Sequence, residues 1–79
     1  MTETMPIPSR YAGGVIGKRG FKISEIRNKS GASIKIADET GSSGERIVTI
    51  SGSPEAVGMA QFLIKTRVKY EEARSSDKD

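Results

Sequence analysis

The stretch Gly13-Gly14-Val15-Ile16-Gly17-Lys18-Arg19-Gly20 combines glycines that recur every three residues with two adjacent cations. Its first half continues a short apolar segment that starts at Tyr11, and a short amphipathic segment follows from Phe21. Each segment is suited to a brief helix. Glycine lets the backbone approach a bulky partner closely, and amide groups at the start of a helix favour anions. Lys18 and Arg19 add two positive charges at the tip of the turn. The stretch therefore predicts a phosphate-binding turn between two helices.

The spacing of the glycines separates three kinds of phosphate-binding loop. A nucleoside-triphosphate loop requires glycine where Ala12 stands and a hydroxyl residue where Arg19 stands. A dinucleotide-binding fingerprint requires Gly-x-Gly-x-x-Gly after a strand, in a fold larger than this chain allows. A GxxG loop that clamps the backbone of single-stranded nucleic acid, here Gly17–Gly20, fits without exception.

The positive charge of the chain is concentrated around this stretch. Residues 10–36 contain seven basic side chains and the single acid Glu25, a net charge of +6, whereas the whole chain carries +3. The basic residues of this segment are Arg10, Lys18, Arg19, Lys22, Arg27, Lys29 and Lys35. A localised positive field suggests an anionic partner that docks at one place, although a solvated charged face is the plainer alternative.

Apolar periodicity and turn residues outline the remaining elements in the order strand, helix, helix, strand, strand, helix. A single domain is expected over residues 4–71, between an N-terminal tail at 1–3 and a disordered C-terminal tail at 72–79. The pattern predicts an edge strand Thr2–Ile7, helices Tyr11–Ile16 and Phe21–Ser30, strands Ser33–Ile36 and Arg46–Ile50 around a mobile loop Asp38–Gly44, and a long helix Pro54–Glu71. Gly31 closes the second helix and Ser53 caps the last.

Composition excludes several classes of function. The 79 residues include no cysteine and no histidine, which removes thiolate nucleophiles, imidazole bases and the usual zinc sites. We expect no catalytic residues, no metal and no cofactor. No apolar run approaches the roughly 18 to 20 residues that span a bilayer, so no membrane partner is expected and the chain should be soluble. The absence of cysteine fits a reducing, intracellular compartment.

Several motifs together resemble one known family. They are Val15–Gly20, the pair Ile26-Arg27, Ser30–Ala32, the strand Ile34–Ile36 and the segment Glu45–Ile50. Across Pro8–Lys69 the sequence resembles the type I KH domain, and it is most similar to the third KH domains of the poly(C)-binding and heterogeneous nuclear ribonucleoprotein K group. The resemblance implies an α+β fold in which a three-stranded antiparallel sheet packs against three helices in the order β-α-α-β-β-α. It also implies a narrow groove for about four unpaired nucleotides.

The resemblance also assigns roles to individual residues. It implies that Gly13, Gly14 and Ile16 form one wall of the groove and that Gly17, Lys18, Arg19 and Gly20 clamp the nucleic-acid backbone. Phe21 and Lys22 would begin the second helix, and Ile23 and Ile36 would form an aliphatic floor. The residues implied to contact base edges are Arg27, Lys35 and Arg46. Cytosine offers two acceptors on its pairing edge, which the fixed donors of arginine can satisfy. Arg27 and Arg46 are therefore the candidates for cytosine recognition.

These observations predict a non-enzymatic module that binds single-stranded RNA or DNA with a preference for C-rich sequence. The expected setting is a larger post-transcriptional regulatory protein in the nucleus, the cytoplasm or both. The alternative is a protein-interaction or dimerisation module with little nucleic-acid binding. Weak self-association through the last helix is a further expectation, because Phe62 falls on its otherwise polar arc and either completes the core or exposes an apolar patch.

Overall fold

The computed structural model describes residues 1–37 and 44–77 and contains the six predicted elements in the predicted order. They are β1 (Thr2–Pro8), α1 (Ser9–Ile16), α2 (Phe21–Ser30), β2 (Ser33–Ile36), β3 (Glu45–Ser51) and α3 (Pro54–Asp77). A 3₁₀ turn at Lys18–Gly20 joins α1 to α2. The loop predicted at Asp38–Gly44 lies outside the described residues except for Gly44.

The three strands form one antiparallel sheet in the order β1-β3-β2. β1 is an edge strand, as predicted, which lets Pro6 and Pro8 sit within a strand because a proline lacks the N–H that an inner strand needs. β1 begins at Thr2, inside the segment predicted as an N-terminal tail, and Thr2 pairs with Ser51. The Met1 carbonyl accepts the Gly52 N–H at 3.0 Å, so backbone pairing extends to the first residue.

The hydrophobic core lies between one face of the sheet and the three helices. The sheet contributes Ile7, Val48 and Ile50, and the helices contribute Val15, Val57 and Ile64, all of them less than 2% exposed. Burial of such a side chain stabilises a fold by about 1.5–3 kcal/mol. The predicted apolar arc of α3 is confirmed, since Val57, Ala60 and Ile64 are buried and Leu63 and Val68 pack against the core.

The second helix has the predicted boundaries, whereas the first helix begins earlier than predicted. α2 and its C-terminal Gly31 are confirmed: Gly31 has φ 76° and donates to the Arg27 carbonyl at 2.8 Å. α1 begins at Ser9 rather than Tyr11, directly after Pro8. None of the helices in residues 1–37 and 44–77 is both long and apolar enough to cross a membrane.

The last helix begins as predicted and ends later. The Ser53 hydroxyl accepts the Ala56 N–H at 3.1 Å and so caps the first turn. The helix then continues to Asp77, six residues past the predicted end at Glu71 and into the predicted tail. Glu71 is paired with Arg67 at 3.1 Å and with Arg74 at 3.7 Å, and ion pairs at these helical spacings support the additional turns.

Candidate nucleic-acid interface

The turn Gly17–Gly20, hereafter the glycine clamp, has a backbone that requires glycine. Gly17 ends α1 by donating to the Gly13 carbonyl at 2.8 Å, and its φ is 79°. A Cβ at Gly17 would meet the backbone nitrogen of Lys22 at 2.7 Å. Gly20 has φ 75° and donates to the Gly17 carbonyl at 3.1 Å. The clamp is therefore a defined, tightly closed turn.

The clamp exposes two cations, one of them on a residue with a strained backbone. Among the described residues, Arg19 is the only non-glycine with a positive φ, at 56°. Such a conformation costs on the order of 1 kcal/mol or more for an ordinary residue. Lys18 and Arg19 are both exposed at the tip, next to the N-terminus of α2, where the Phe21 N–H donates to the Lys18 carbonyl. This arrangement presents two cations and a helix N-terminus to the same region of solvent.

A cavity of about 900 Å³ opens beside the clamp, and we call it the α3 cavity because the end of α3 forms its far wall. Of the predicted site residues, it is lined by Gly13, Gly14, Gly17, Lys18, Arg19, Phe21 and Lys22. The described part of the lining also includes Ser24, Arg67, Glu71 and Arg74. The structure thus brings seven of the predicted residues together, along one side of the clamp.

The α3 residues of this cavity were missed from sequence. Arg67, Glu71 and Arg74 recur at helical spacing, which indicates that they share one face of a helix. That signal could have grouped them, but it does not reveal that the end of α3 reaches the clamp. The predicted helix end at Glu71 also left Arg74 in a tail.

Contacts between α1 and α3 hold the α3 cavity in shape. Arg67 Nε donates to the Gly14 carbonyl at 3.2 Å, while its Nη2 lies 3.1 Å from the Glu71 carboxylate. The Glu71 carboxylate occupies the space that a Cβ on Gly14 would need. Glycine at position 14 therefore allows α3 to pack directly on α1 beside the clamp.

The three predicted isoleucines differ in how far they are exposed. Ile23 is only 5% exposed and belongs to the core, whereas Ile16 and Ile36 are half-buried against it and keep apolar surface outside. Ile23 therefore offers a ligand little contact area as part of the predicted aliphatic floor, whereas Ile36 offers more. None of these three isoleucines lines the α3 cavity.

The outer edge of β2 carries backbone groups that point away from the sheet. Ala37 donates to the Ile47 carbonyl at 2.9 Å, so by antiparallel alternation Ile34 and Ile36 direct their N–H and C=O groups away from β3. The Arg27 guanidinium occupies one of these positions, with Nη2 at 2.7 Å and Nε at 3.2 Å from the Ile34 carbonyl. Arg27 therefore lies at the β2 edge, the name we use for this outer side of β2.

Arg46 and Lys35 lie on opposite faces of the sheet. Arg46 alternates in phase with Val48 and Ile50 and pairs across the strands with the buried Ile7, so it is on the helix-covered face. Its Nε is buried and has no hydrogen-bond partner in the described part of the chain. Lys35 is exposed and alternates to the outer face. The structure does not bring Lys35 to the face that carries Arg46 and Ile36.

Acidic residues do not gather into a site in the described ranges. Within residues 1–37 and 44–77, no group of three or more carboxylates is placed to hold a metal ion. Glu25 is engaged with Lys22 and Lys29, each at 4.0 Å, rather than with Arg27. Such exposed pairs contribute well under about 1 kcal/mol, so Lys22 remains available to an anionic ligand.

Comparison with known proteins supports the same assignment. Residues 2–66 match the KH domain family. The fold is similar to the solution structure of the first KH type I domain from human vigilin, with a TM-score of 0.69 and 21% sequence identity over 92% of this chain and 78% of that one. KH domains are generally RNA-binding modules for single-stranded nucleic acid, not enzymes. The clamp, the three-stranded antiparallel sheet and the three helices lead to one conclusion, that this chain belongs to the KH domain family in its type I form.

Proposed function

We propose that this KH domain binds about four unpaired nucleotides of C-rich RNA, or of single-stranded DNA, between the glycine clamp and the β2 edge. The observation that carries the proposal is the clamp itself. Its backbone requires glycine at Gly17, and it presents Lys18 and Arg19 at an exposed tip. A turn that needed only to connect two helices would require neither feature.

The clamp supplies affinity through phosphate contacts. Lys18 and Arg19 are full positive charges in a segment of net charge +6. Their attraction for phosphate does not depend on base sequence, and it weakens as salt rises. Because a strand of four nucleotides has few phosphates, we expect moderate affinity and a shallow salt dependence. Higher affinity then requires several such modules on one chain, which supports a place in a larger regulatory protein.

The β2 edge supplies base recognition. The N–H and C=O of Ile36 point outward, where they can pair with a base edge much as a neighbouring strand would. Arg46, on the neighbouring strand β3, is half-buried, and the fixed donors of its guanidinium suit the acceptors of cytosine. These two groups favour a base with both donors and acceptors on its pairing edge. The motif resemblance to the poly(C)-binding and heterogeneous nuclear ribonucleoprotein K group supports cytosine as that base.

The setting of the domain is part of the proposal. A C-rich RNA partner implies post-transcriptional regulation, and hence residence in the nucleus, the cytoplasm or both. A sequence without cysteine fits such a reducing environment.

Titration with a CCCC RNA tetramer, followed residue by residue by NMR, tests the proposal. The wild-type domain should show saturable shifts from Gly17 to Arg27 and along β2. Lys18→Asp with Arg19→Asp should abolish them, and Asp at position 19 accepts a positive φ readily. Lys65→Asp with Lys69→Asp is the matched control, because it reverses two exposed α3 cations outside the cavity. The proposal would be contradicted if the variant with reversed clamp charges bound CCCC as tightly as the wild type does.

The second candidate function is self-association through α3. Met59 and Phe62, three residues apart on α3, are 48% and 64% exposed. Phe62 therefore does not complete the core, and the two side chains form a small apolar patch. Sedimentation of the domain over a range of concentrations separates the candidates. A dimer that dissociates on Phe62→Ser, together with no tetramer binding, would favour the interaction module.

A further inference from the structure

We propose that the α3 cavity binds one further nucleotide of a strand that continues past the four nucleotides beside β2. Its phosphate lies between the clamp cations and Arg74, and its base rests on the Phe21 ring. The inference rests on the proposed function, since the strand must already pass over the clamp. It adds a subsite that faces α3 instead of the sheet.

Charge is the first support for this subsite. Among the described residues, five cations line the cavity against the one carboxylate of Glu71. The cations are Lys18, Arg19, Lys22, Arg67 and Arg74. Glu71 is paired with Arg67 at 3.1 Å, which partly offsets its negative charge. A concave surface with this excess of positive charge concentrates phosphate groups.

Phe21 is the second support. Its side chain is 66% exposed and lines the cavity at the foot of the clamp, so it is accessible to a ligand. Base stacking on an exposed aromatic ring is favourable for every base, because each base has a π face. Phe21 therefore gives the cavity an apolar platform beside its cations.

The two arginines of the cavity have different tasks. Arg67 is held by the Gly14 carbonyl and by Glu71, so it maintains the wall. Arg74 is 56% exposed and its ion pair with Glu71 is 3.7 Å long, a weak attachment that a phosphate can replace. Arg74 is thus the α3 cation that should contact the ligand, and its removal leaves the contact between α1 and α3 intact.

The test compares one tetramer with two hexamers. CCCC, AACCCC and CCCCAA RNA are titrated into the wild-type domain, and adenine flanks avoid additional C-rich registers. One of the two hexamers should bind about five- to tenfold more tightly than the tetramer, as expected from one stacked base. The same hexamer, and not the tetramer, should shift the Phe21 ring resonances and those of Arg74.

Two variants separate the subsite from general attraction. Arg74→Gln should remove most of the hexamer's advantage and leave tetramer affinity unchanged. Lys69→Gln removes the same charge from an exposed α3 position outside the cavity, and it should keep the advantage. Equal affinity for all three RNAs overturns the subsite alone. The subsite is also overturned if the hexamer keeps its higher affinity in Arg74→Gln, or if Lys69→Gln lowers that affinity as much as Arg74→Gln does. If no RNA binds, the proposed function fails and the subsite with it.

Discussion

Arg27 and Ile34 are joined across the space between α2 and β2 by two hydrogen bonds from one guanidinium to one carbonyl, at 2.7 and 3.2 Å. The contact uses two of the five N–H donors of arginine and fixes the plane of the group at the β2 edge. Three donors remain for a ligand. Arg27 therefore both fastens α2 to the sheet and retains the capacity to contact a base.

Replacement of Arg27 should affect stability as well as binding. Arg27→Ala removes both hydrogen bonds to Ile34, and we expect the free energy of unfolding to fall by about 1 kcal/mol, because the group is partly solvated. Arg27→Lys keeps the charge but cannot donate two hydrogen bonds from a planar group. Its free energy of unfolding should therefore lie between those of the wild type and Arg27→Ala. Urea denaturation measures both. Equal stability of all three proteins would show that the contact has no energetic role.

Gly13 and Gly14 should respond differently to alanine. Alanine within a helix is favoured over glycine by about 1 kcal/mol, so Gly13→Ala, with nothing within 4 Å of its new Cβ, should stabilise the domain. Gly14→Ala should stabilise it less, because the new methyl displaces the Glu71 carboxylate from its ion pair with Arg67. In the Glu71→Ala background, Gly14→Ala should recover the full gain. Thermal unfolding of this double-mutant cycle tests the packing, and additive effects would refute it.

Local signals were sufficient for most of the fold. The boundaries of α2 and the capping role of Ser53 came from residues within one turn of the helix ends. The end of α3 was missed because ion pairs between side chains one turn apart, Arg67–Glu71 and Glu71–Arg74, extend a helix past its last apolar residue.

The candidate site was harder to predict, because its parts come together only through packing. The clamp was visible as a motif of adjacent residues. The α3 wall could not be predicted, because it forms only when α3 docks on α1. That docking depends on the lack of a side chain at Gly14 and on its hydrogen bond with Arg67, 53 positions later in the chain. Lys35 was grouped with Arg46 by family resemblance, yet strand alternation puts them on opposite faces of the sheet.

The two clamp glycines should differ in their tolerance of alanine. Both have a positive φ, which costs alanine about 1 kcal/mol. Gly17→Ala adds a clash with the Lys22 backbone at 2.7 Å, whereas Gly20→Ala meets only the Ile23 methyl at 3.9 Å. We expect a loss of about 1 kcal/mol for Gly20→Ala and a clearly larger loss for Gly17→Ala. Chemical denaturation ranks them, and the reverse order would contradict the clamp geometry.

Arg46 should control base preference more than total affinity. Its side chain is half-buried on the helix-covered face, so its guanidinium donors should contact a base only when the base presents an acceptor in the right position. Arg46→Gln shortens the side chain and removes its charge, and it should weaken CCCC RNA binding about tenfold, with a much smaller effect on AAAA RNA. Lys35→Gln, on the outer face, should weaken both RNAs slightly and equally. Isothermal titration with CCCC, UUUU and AAAA measures the ratios. Equal wild-type affinity for the three RNAs would rule out Arg46 as a reader of cytosine.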